Sequence, residues 1–297
     1  MNYMKLMGVE DLAMRSFYGR GVRIAILDSG TMKRSGRGSH EPMTDDFGHA
    51  TEISSILAGG IGITGLCGLS DLYYYKVLDR DGNGSVKSVV NGIYSAIDDD
   101  VDIINMSLGF MRTDRCPKAL EKACEDACEA GKTIICAAGN DGGPVNWPAA
   151  LKTTISVGST DENGLKTSFS STGEVDFVAP GVNLEVTGRK GSVKHVGGTS
   201  YSAAIVTGVA SLLVAQSMLG DLSANGIDGV MSALKNYAQD IDEPGWDSRT
   251  GFGMISGMNE DRTVCMKMES GFFDRIFSKI KSIVCFNKKE NKNGRIV

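Results

Sequence analysis

The chain of 297 residues lacks several features that would assign it to a membrane or secreted class. No uninterrupted apolar run reaches the roughly 18 residues that a membrane span needs, so we expect no transmembrane helix. Residues 1–21 contain acidic side chains and no apolar segment of the kind found in a secretory signal. Only three histidines are present, His40, His49 and His195, so a histidine that acts as a base has to be one of them.

Cysteine is also sparse, and its spacing is not that of a metal site or a disulfide framework. The seven cysteines are an odd number and contain no CxxC pair, which argues against a zinc site. Cys124 and Cys128 lie one helical turn apart, but we expect all the cysteines to be reduced thiols. Together with the missing signal segment, this composition predicts a cytoplasmic protein.

Charge is distributed unevenly along the chain. The net charge is −5, but residues 262–297 carry nine Lys or Arg and three Asp or Glu, which is a net of +6 and leaves −11 for the rest. In segment 271–286 apolar residues recur at helical spacing between basic ones, which predicts an amphipathic helix that contacts a membrane, a partner or its own chain. We therefore expect an extension at 1–20, a folded domain at 21–261 and a basic tail at 262–297, with no nucleic-acid partner.

The most informative segment runs from Gly197 to Ala204. Its two glycines permit a sharp turn, and the small and aliphatic residues from Ser202 to Gln216 predict a long helix directly after it. Ser200 therefore lies at a helix N-terminus, where free backbone N–H groups and the helix dipole favour negative charge. Such a serine is either a helix cap or a nucleophile whose oxyanion is stabilised there.

An acid and a base occur earlier in the chain, each at the end of a predicted element. Asp28 follows the apolar strand at 22–27, at the carboxyl end where doubly wound sheets place their sites. His49 precedes a predicted helix at 52–58. Alone, Asp28 is interpreted as a turn residue and His49 as a polar residue at a helix start. Together with Ser200, they suggest a serine activated by a histidine that the acid orients.

Four motifs resemble those of the subtilisin-like serine proteases, the subtilases. They are IAILDSG at 24–30, GHATEIS at 48–54, AAGNDG at 137–142 and GTSYSAAIVTG at 198–208. The order of acid, base and nucleophile is the one that this family has. The resemblance extends from about residue 19 to about residue 258, and it implies the catalytic set Asp28, His49, Ser200 and Asn140, the last as a donor to the oxyanion.

Two positions depart from the family pattern. Ala50 stands where the family has glycine after the histidine, and its methyl group could crowd the imidazole. Ala204 stands where the family has proline, and since proline kinks a helix, we expect a straighter helix after Ser200. Neither change removes a reacting group, so we expect an active enzyme.

The resemblance also implies a cleft for an extended peptide, which would lie as an added strand between two glycine-containing segments. From the residues alone, the same segments are ordinary turns. Asn146 and the Trp147-Pro148 pair would line the pocket for the residue before the cut, with Asp141 at its rim, where an acid favours a basic or long polar side chain. The implied substrate-binding residues are Gly82, Gly84, Ser107, Leu108, Gly109, Asp141 and Asn146.

No metal ligand or cofactor is predicted. Subtilases often hold calcium in a loop after the histidine-bearing helix, but residues 58–65 are short and contain no carboxylate or amide side chain. Calcium takes about six to eight oxygen ligands, so the usual calcium loop would be reduced here. Calcium binding is still considered only because subtilases often bind this ion. The run DRDGNG at 79–84 lacks the glutamate that completes an EF-hand and is interpreted as a solvated turn.

The alternation of strands and helices, joined by glycine-rich segments, predicts an α/β fold with a three-layer, doubly wound and mostly parallel sheet. Asp28, Ser107 and Asn140 would then emerge at one edge of the sheet. We expect strands at 22–27, 72–78, 101–106, 133–137, 154–157, 175–178 and 193–196, and helices at 52–58, 86–98, 117–130, 200–219 and 229–237.

The function predicted is that of a serine endopeptidase that forms an acyl-enzyme on Ser200. Since we expect neither a signal nor a large inhibitory prodomain, its role would be intracellular: limited processing such as removal of a leader segment, or protein turnover. The alternative is a catalytically silent subtilase fold that binds peptides. Residues 1–20 would either thread through the cleft as a short inhibitory segment or pack as a helix.

Overall fold

A computed structural model describes residues 1–30, 44–112, 115–220 and 224–257. The predicted tail, with its segment 271–286, and His40 lie outside the described residues. The strands are β1 (Arg23–Asp28), β2 (Asp71–Lys76), β3 (Ile103–Met106), β4 (Thr133–Ala137), β5 (Ile155–Thr160), β6 (Phe177–Pro180), β7 (Leu184–Thr187), β8 (Val193–Val196), β9 (Ala238–Gln239) and β10 (Met254–Ile255). The helices are α1 (Tyr3–Leu6), α2 (Glu10–Arg15), α3 (His49–Leu57), α4 (Val86–Asp98), α5 (Lys118–Glu129), α6 (Thr199–Met218) and α7 (Gly226–Lys235).

Eight of the strands form one sheet in the order β2-β1-β3-β4-β5-β6-β10-β9. All neighbouring strands run parallel except β9 and β10. The strand order reverses beside β1, which has β2 on one side and β3 on the other, so the carboxyl ends of β1 and β3 open into the crevice where doubly wound sheets hold their sites. The predicted α/β fold is confirmed.

Helices cover both faces of the sheet and give it three layers. In β1, Ile24 and Ile26 face the cluster that contains α3, α6 and α7, whereas Ala25 and Leu27 face the cluster that contains α4 and α5. The strands are apolar at consecutive positions because both of their faces are buried. Asp28 therefore ends a strand that is buried from Ile24 onward, at the carboxyl edge of the sheet.

Helix α6 is the centre of one apolar cluster. Every residue from Tyr201 to Gln216 is buried, and the helix runs from Thr199 to Met218 without interruption at Ala204, as predicted. By length and composition α6 is apolar enough to cross a membrane, although polar residues interrupt its apolar runs, and 89% of its most apolar 18-residue window is buried inside the domain. Its hydropathy is therefore that of a core helix packed on all sides.

Residues 1–20 pack into the domain as helices, the second of the two arrangements considered for them. Tyr3 is fully buried, and its hydroxyl donates to the backbone carbonyl of Glu185 at 2.9 Å. The backbone N–H of Tyr3 donates to Thr64 at 3.1 Å, and Thr64 donates back to Met1 at 3.0 Å. Leu12 and Ala13 of α2 join the same apolar cluster as α6. These contacts hold the segment against the domain through its apolar side.

Strand β8 has the predicted bounds but not the predicted place. It pairs in antiparallel fashion with β7, with Glu185 opposite His195, and the two form a separate hairpin outside the main sheet. Every residue of β8 from Val193 to His195 is exposed, which a strand of the central sheet would not be. Four residues with β propensity predict a strand but not the strand with which it pairs, because pairing depends on the approach of a segment distant in sequence.

Candidate active site

The acid and the base predicted from the sequence lie in direct contact. Asp28 ends β1 and is fully buried, and His49 begins α3. The Nδ1 of His49 lies 2.8 Å and 3.0 Å from the two carboxylate oxygens of Asp28. Burial by itself lowers the pKa of His49, but the charge and hydrogen bond of Asp28, with smaller contributions from Glu52 and Asp45, outweigh it and leave the pKa raised. The imidazole is thus oriented with its Nε2 turned away from the acid.

The buried carboxylate of Asp45, which was not identified from the sequence, links the segments that carry Asp28 and His49. Asp45 accepts hydrogen bonds from the Ser29 hydroxyl and the Gly48 N–H, both at 2.7 Å, and from the Thr51 N–H and hydroxyl at 2.8 and 2.5 Å. Ser29, which follows Asp28, in turn accepts from the Ala50 N–H at 3.0 Å. The end of β1 and the start of α3 are therefore joined by one network. The sequence signal was an acid four residues before His49, at the start of a helix.

Ser200 lies in the first turn of α6, as predicted, above the carboxyl end of β3. Its hydroxyl donates to the Ser107 carbonyl at 3.0 Å, and the Ser107 hydroxyl donates to the Ser200 carbonyl at 2.8 Å. Asn105 supports this pair by donating to the Ser107 hydroxyl at 3.1 Å while it accepts from Thr207 at 3.0 Å. Within the part of the chain that the structure describes, the hydrogen bonds of His49 are those with Asp28, so the Ser200 hydroxyl has to rotate from Ser107 toward the imidazole before it can transfer its proton.

Asn140 is positioned by the same helix. Its Oδ1 accepts from the Thr199 N–H at 2.8 Å and from the Thr199 hydroxyl at 3.1 Å. Because these bonds occupy the amide oxygen, the amide Nδ2 is left to donate, and a Cβ added to Gly198, two residues before Ser200, would lie 3.5 Å from it. An amide N–H fixed in this way is suited to an oxyanion, because it needs no rearrangement when the negative charge forms.

The residues predicted for the pocket before the cut come together at the ends of β3 and β4. Asn146 is buried, and a Cβ added to Gly139 would lie 2.5 Å from its Nδ2, while one added to Gly109 would lie 3.2 Å from its Cβ. Asp141 is exposed and accepts from the Ser171 hydroxyl at 2.9 Å and the Gly143 N–H at 3.0 Å. These bonds, that of Ser171 foremost, lower the pKa of Asp141, so it carries a negative charge at neutral pH.

On the other predicted side of the cleft, the segment that contains Gly82 and Gly84 lies against Phe47, an aromatic neighbour of His49. Gly82 has φ +79°, and a Cβ there would lie 2.6 Å from the ring of Phe47, whose centroid is 6.3 Å from that of His49. Gly84 bridges in antiparallel fashion to Leu78. Leu108 is partly buried against the apolar cluster of α4 and α5. The structure therefore places Gly82 against Phe47, the aromatic neighbour of His49, and the peptide-binding role of all these residues stays a prediction.

The loop after α3, where subtilases often bind calcium, is held by backbone hydrogen bonds. Gly60 and Ile63 exchange two hydrogen bonds at 3.0 and 3.2 Å, and Asn2 bridges to Thr64. Among the described residues, no group of three or more His, Cys, Asp or Glu side chains could hold a metal ion. The five cysteines within the described ranges are free thiols, and four of them are buried.

Comparisons with known proteins agree with this geometry. The model of the subtilase family matches residues 19–253. The thermostable alkaline protease of Halalkalibacterium halodurans is 38% identical over 213 residues, which are 67% of this chain and 58% of that protein. Subtilisin E of Bacillus subtilis is 32% identical over 225 residues, which are 69% of this chain and 58% of that protein.

A crystal structure of a lanthipeptide protease has the same fold, with a TM-score of 0.74 at 23% identity, over 85% of this chain and 92% of that one. The alignments span less than two thirds of the length of the two curated relatives. The match along residues 19–253, together with the doubly wound sheet and the four motifs on its edge, shows that this chain belongs to the subtilase family.

Proposed function

We propose that the chain is a serine endopeptidase. The observation that carries the proposal is the contact between Asp28 and His49, at 2.8 Å, beside a serine at the N-terminus of a buried helix. Membership of the subtilase family and the likeness to a relative named as a thermostable alkaline protease support it. Ser200 is the nucleophile, His49 the base and then the acid, and Asp28 the group that holds the imidazole.

The reaction follows from the positions of these groups. His49 Nε2 takes the proton of the Ser200 hydroxyl as Oγ attacks the peptide carbonyl, and Asp28 stabilises the imidazolium through Nδ1. The Asn140 Nδ2 and the Ser200 backbone N–H donate to the oxyanion of the tetrahedral intermediate. The imidazolium then gives its proton to the leaving amine, and water, activated by the same histidine, hydrolyses the acyl-enzyme.

The substrate class is an extended peptide or protein segment, held between the Gly82–Gly84 and Ser107–Gly109 segments. Leader-peptide removal from a modified peptide is the more specific role that we favour over general turnover. Its support is limited to the likeness in fold to a protein named as a lanthipeptide protease. The cytoplasmic location and the intracellular type remain predictions from the sequence.

Labelling with a fluorophosphonate tests the proposal, because this reagent reacts with an activated serine. The wild-type chain and Ser192→Ala, which removes an exposed serine outside the site, should form an adduct that peptide mass spectrometry assigns to Ser200. Ser200→Ala should form none. A folded wild-type protein that forms no adduct, yet binds peptides, would replace the proposal by the silent peptide-binding alternative.

A further inference from the structure

Next to the catalytic pair, a carboxylate is held between two partners from different elements. Glu52, one helical turn after His49 in α3, is buried and accepts a hydrogen bond from the Tyr201 hydroxyl at 2.6 Å on Oε2. Its Oε1 lies 2.5 Å from the ammonium of Lys194 in β8, whose side chain is 49% exposed. Both carboxylate oxygens are therefore occupied, one by a neutral donor and one by a cation.

The same phenol contacts the imidazole. The ring centroids of Tyr201 and His49 are 5.5 Å apart, with the planes inclined by 59°, while Asp28 holds the Nδ1 edge of the imidazole. Burial, together with the hydrogen bond and charge of Glu52, raises the pKa of Tyr201 far above its ordinary value. The phenol is therefore protonated at neutral pH and acts as a hydrogen-bond donor to Glu52.

Two members of this set lie close to a reacting group along the chain, and the third contacts one of those two. Tyr201 follows the nucleophile in α6, Glu52 shares the helix of the base, and Lys194 belongs to the hairpin that leads into α6. Burying a carboxylate costs free energy unless it is paired, and an apolar side chain of similar size would fill the space without that cost. Packing alone therefore does not explain a buried charge between α3 and α6. Its electrostatic effect on the neighbouring imidazole does.

We propose that Tyr201, Glu52 and Lys194 form a positioning network that braces the face of the His49 ring and adjusts the negative charge around it. The inference rests on the proposed peptidase function. The phenol sets the position of the ring. The carboxylate favours the protonated imidazole, and the ammonium moderates that effect.

Within the described residues, the ionisable groups around His49 come from several elements. Asp28 in β1, Asp45 in the segment before α3 and Glu52 in α3 raise its pKa, and the neutral phenol of Tyr201 in α6 packs against its ring. Lys194 in β8 acts through its ion pair with Glu52, and Arg189, in the turn between β7 and β8, donates to the backbone carbonyl of Asp46 before α3. Asp28 is part of the reaction, and Asp45 is saturated by four hydrogen bonds. Glu52 and Lys194 are consequently the pair whose charge can be changed without dismantling the catalytic pair.

The test is the pH dependence of kcat/KM on a peptide substrate, whose acid limb reports the protonation of the base in the free enzyme. Glu52→Gln keeps an acceptor for Tyr201 but removes the negative charge, so the acid limb should move to lower pH by about half a pH unit or more. A charge within about 4–6 Å shifts a pKa by about one to three units, and the charge of Glu52 is partly screened by Lys194. Lys194→Met leaves the charge of Glu52 unscreened and should move the limb to higher pH.

Tyr201→Phe separates position from charge. The ring remains beside His49 while the hydroxyl that anchors it is lost, so kcat should fall about 10-fold with KM within about twofold of wild type, and the limb should stay in place. Glu125→Gln and Lys118→Met, which make the same charge changes on the exposed side of α5, serve as matched controls and should leave the profile unchanged. Circular dichroism establishes that each variant is folded.

Titration of the His49 imidazole by NMR in the Ser200→Ala background keeps this proposal separate from the peptidase proposal. Opposite shifts of its midpoint in Glu52→Gln and Lys194→Met support the network even if no peptide is cleaved. An active enzyme in which both variants keep the wild-type limb and midpoint overturns the network and leaves the peptidase proposal standing. Shifts of the same sign overturn it equally, and Lys194→Met, at the surface, decides the case if Glu52→Gln does not fold.

Discussion

Replacing Asp45 by alanine should strongly lower the free energy of unfolding of the domain, because four hydrogen bonds end on its buried carboxylate. Asp45 receives two backbone N–H groups, from Gly48 and Thr51, and two hydroxyls, from Ser29 and Thr51. The hydroxyls can rotate toward other acceptors after the change. The two N–H groups are fixed at the start of α3 and would remain without a partner.

The expected loss is worked out from those two groups. A buried donor left unsatisfied costs about 1–3 kcal/mol, so the pair accounts for about 2–6 kcal/mol, and we expect about 4 kcal/mol for Asp45→Ala. Total stabilities of domains are about 5–15 kcal/mol, so the variant should be close to its unfolding limit. Because the same contacts join the end of β1 to the start of α3, the distance between Asp28 and His49 should become less well defined and kcat should fall as well.

The assay is urea unfolding followed by the fluorescence of Trp147 and Trp246, in the Ser200→Ala background to prevent self-cleavage. Asp46→Ala is the matched control, since Asp46 is exposed and its carboxylate accepts a hydrogen bond from the likewise exposed Thr44 at 3.0 Å. We expect the control to lose less than about 0.5 kcal/mol. Equal free energies of unfolding for the Asp45 and Asp46 variants would refute the assignment of Asp45 as the group that joins β1 to α3.

The pH dependence of this effect has a defined sign. Burial alone raises the pKa of Asp45, but the hydrogen bonds from Thr51, Ser29 and the backbone outweigh it and leave the pKa lowered. The contribution of Asp45 is therefore fully present above its unfolded pKa of about 3.9 and is lost as the pH falls through the lower folded value. The difference in stability between the wild type and Asp45→Ala should shrink only in strongly acidic solution.

Contacts elsewhere in the domain lead to three more measurable outcomes. Asn140→Ala should lower kcat by about 10²–10³ with little change in KM, the loss known for an oxyanion donor in this family, and an unchanged kcat in steady-state assays would contradict its role. Gly92→Ala should cost about 1–3 kcal/mol, because the new Cβ would lie 2.8 Å from a methyl of Val77; a melting temperature equal to that of the wild type would show that the site has room. Burial raises the pKa of Cys67 to about 12, so alkylation at pH 8 should reach it only on unfolding, whereas half-buried Cys128 should react in the folded state; peptide-resolved mass spectrometry distinguishes the two.

The candidate site shows how far residue patterns carry a prediction. Asp28, His49 and Ser200 could be found because each stands at the end of an element whose apolar pattern is local, whereas the role of Asn140 was implied by the resemblance of its motif to the subtilases. Asp45 could have been found from its position before a helix, where acids are favoured. Glu52 and Tyr201 gave no such signal, because their meaning depends on α3 and α6 lying side by side.

The sequence by itself predicted β1 to β6 of the parallel sheet and the helices α3 to α7, because these follow from hydrophobic periodicity, and its motifs shared with the subtilases indicated the candidate catalytic residues. It did not predict β7, β9 or β10. Tertiary structure alone decided that β8 leaves the sheet to pair with β7, that residues 1–20 fill an apolar cluster, and that the Ser200 hydroxyl points to Ser107. These outcomes depend on contacts between segments far apart in the chain. Their free energies come from packing and from hydrogen bonds that no local pattern of residues encodes.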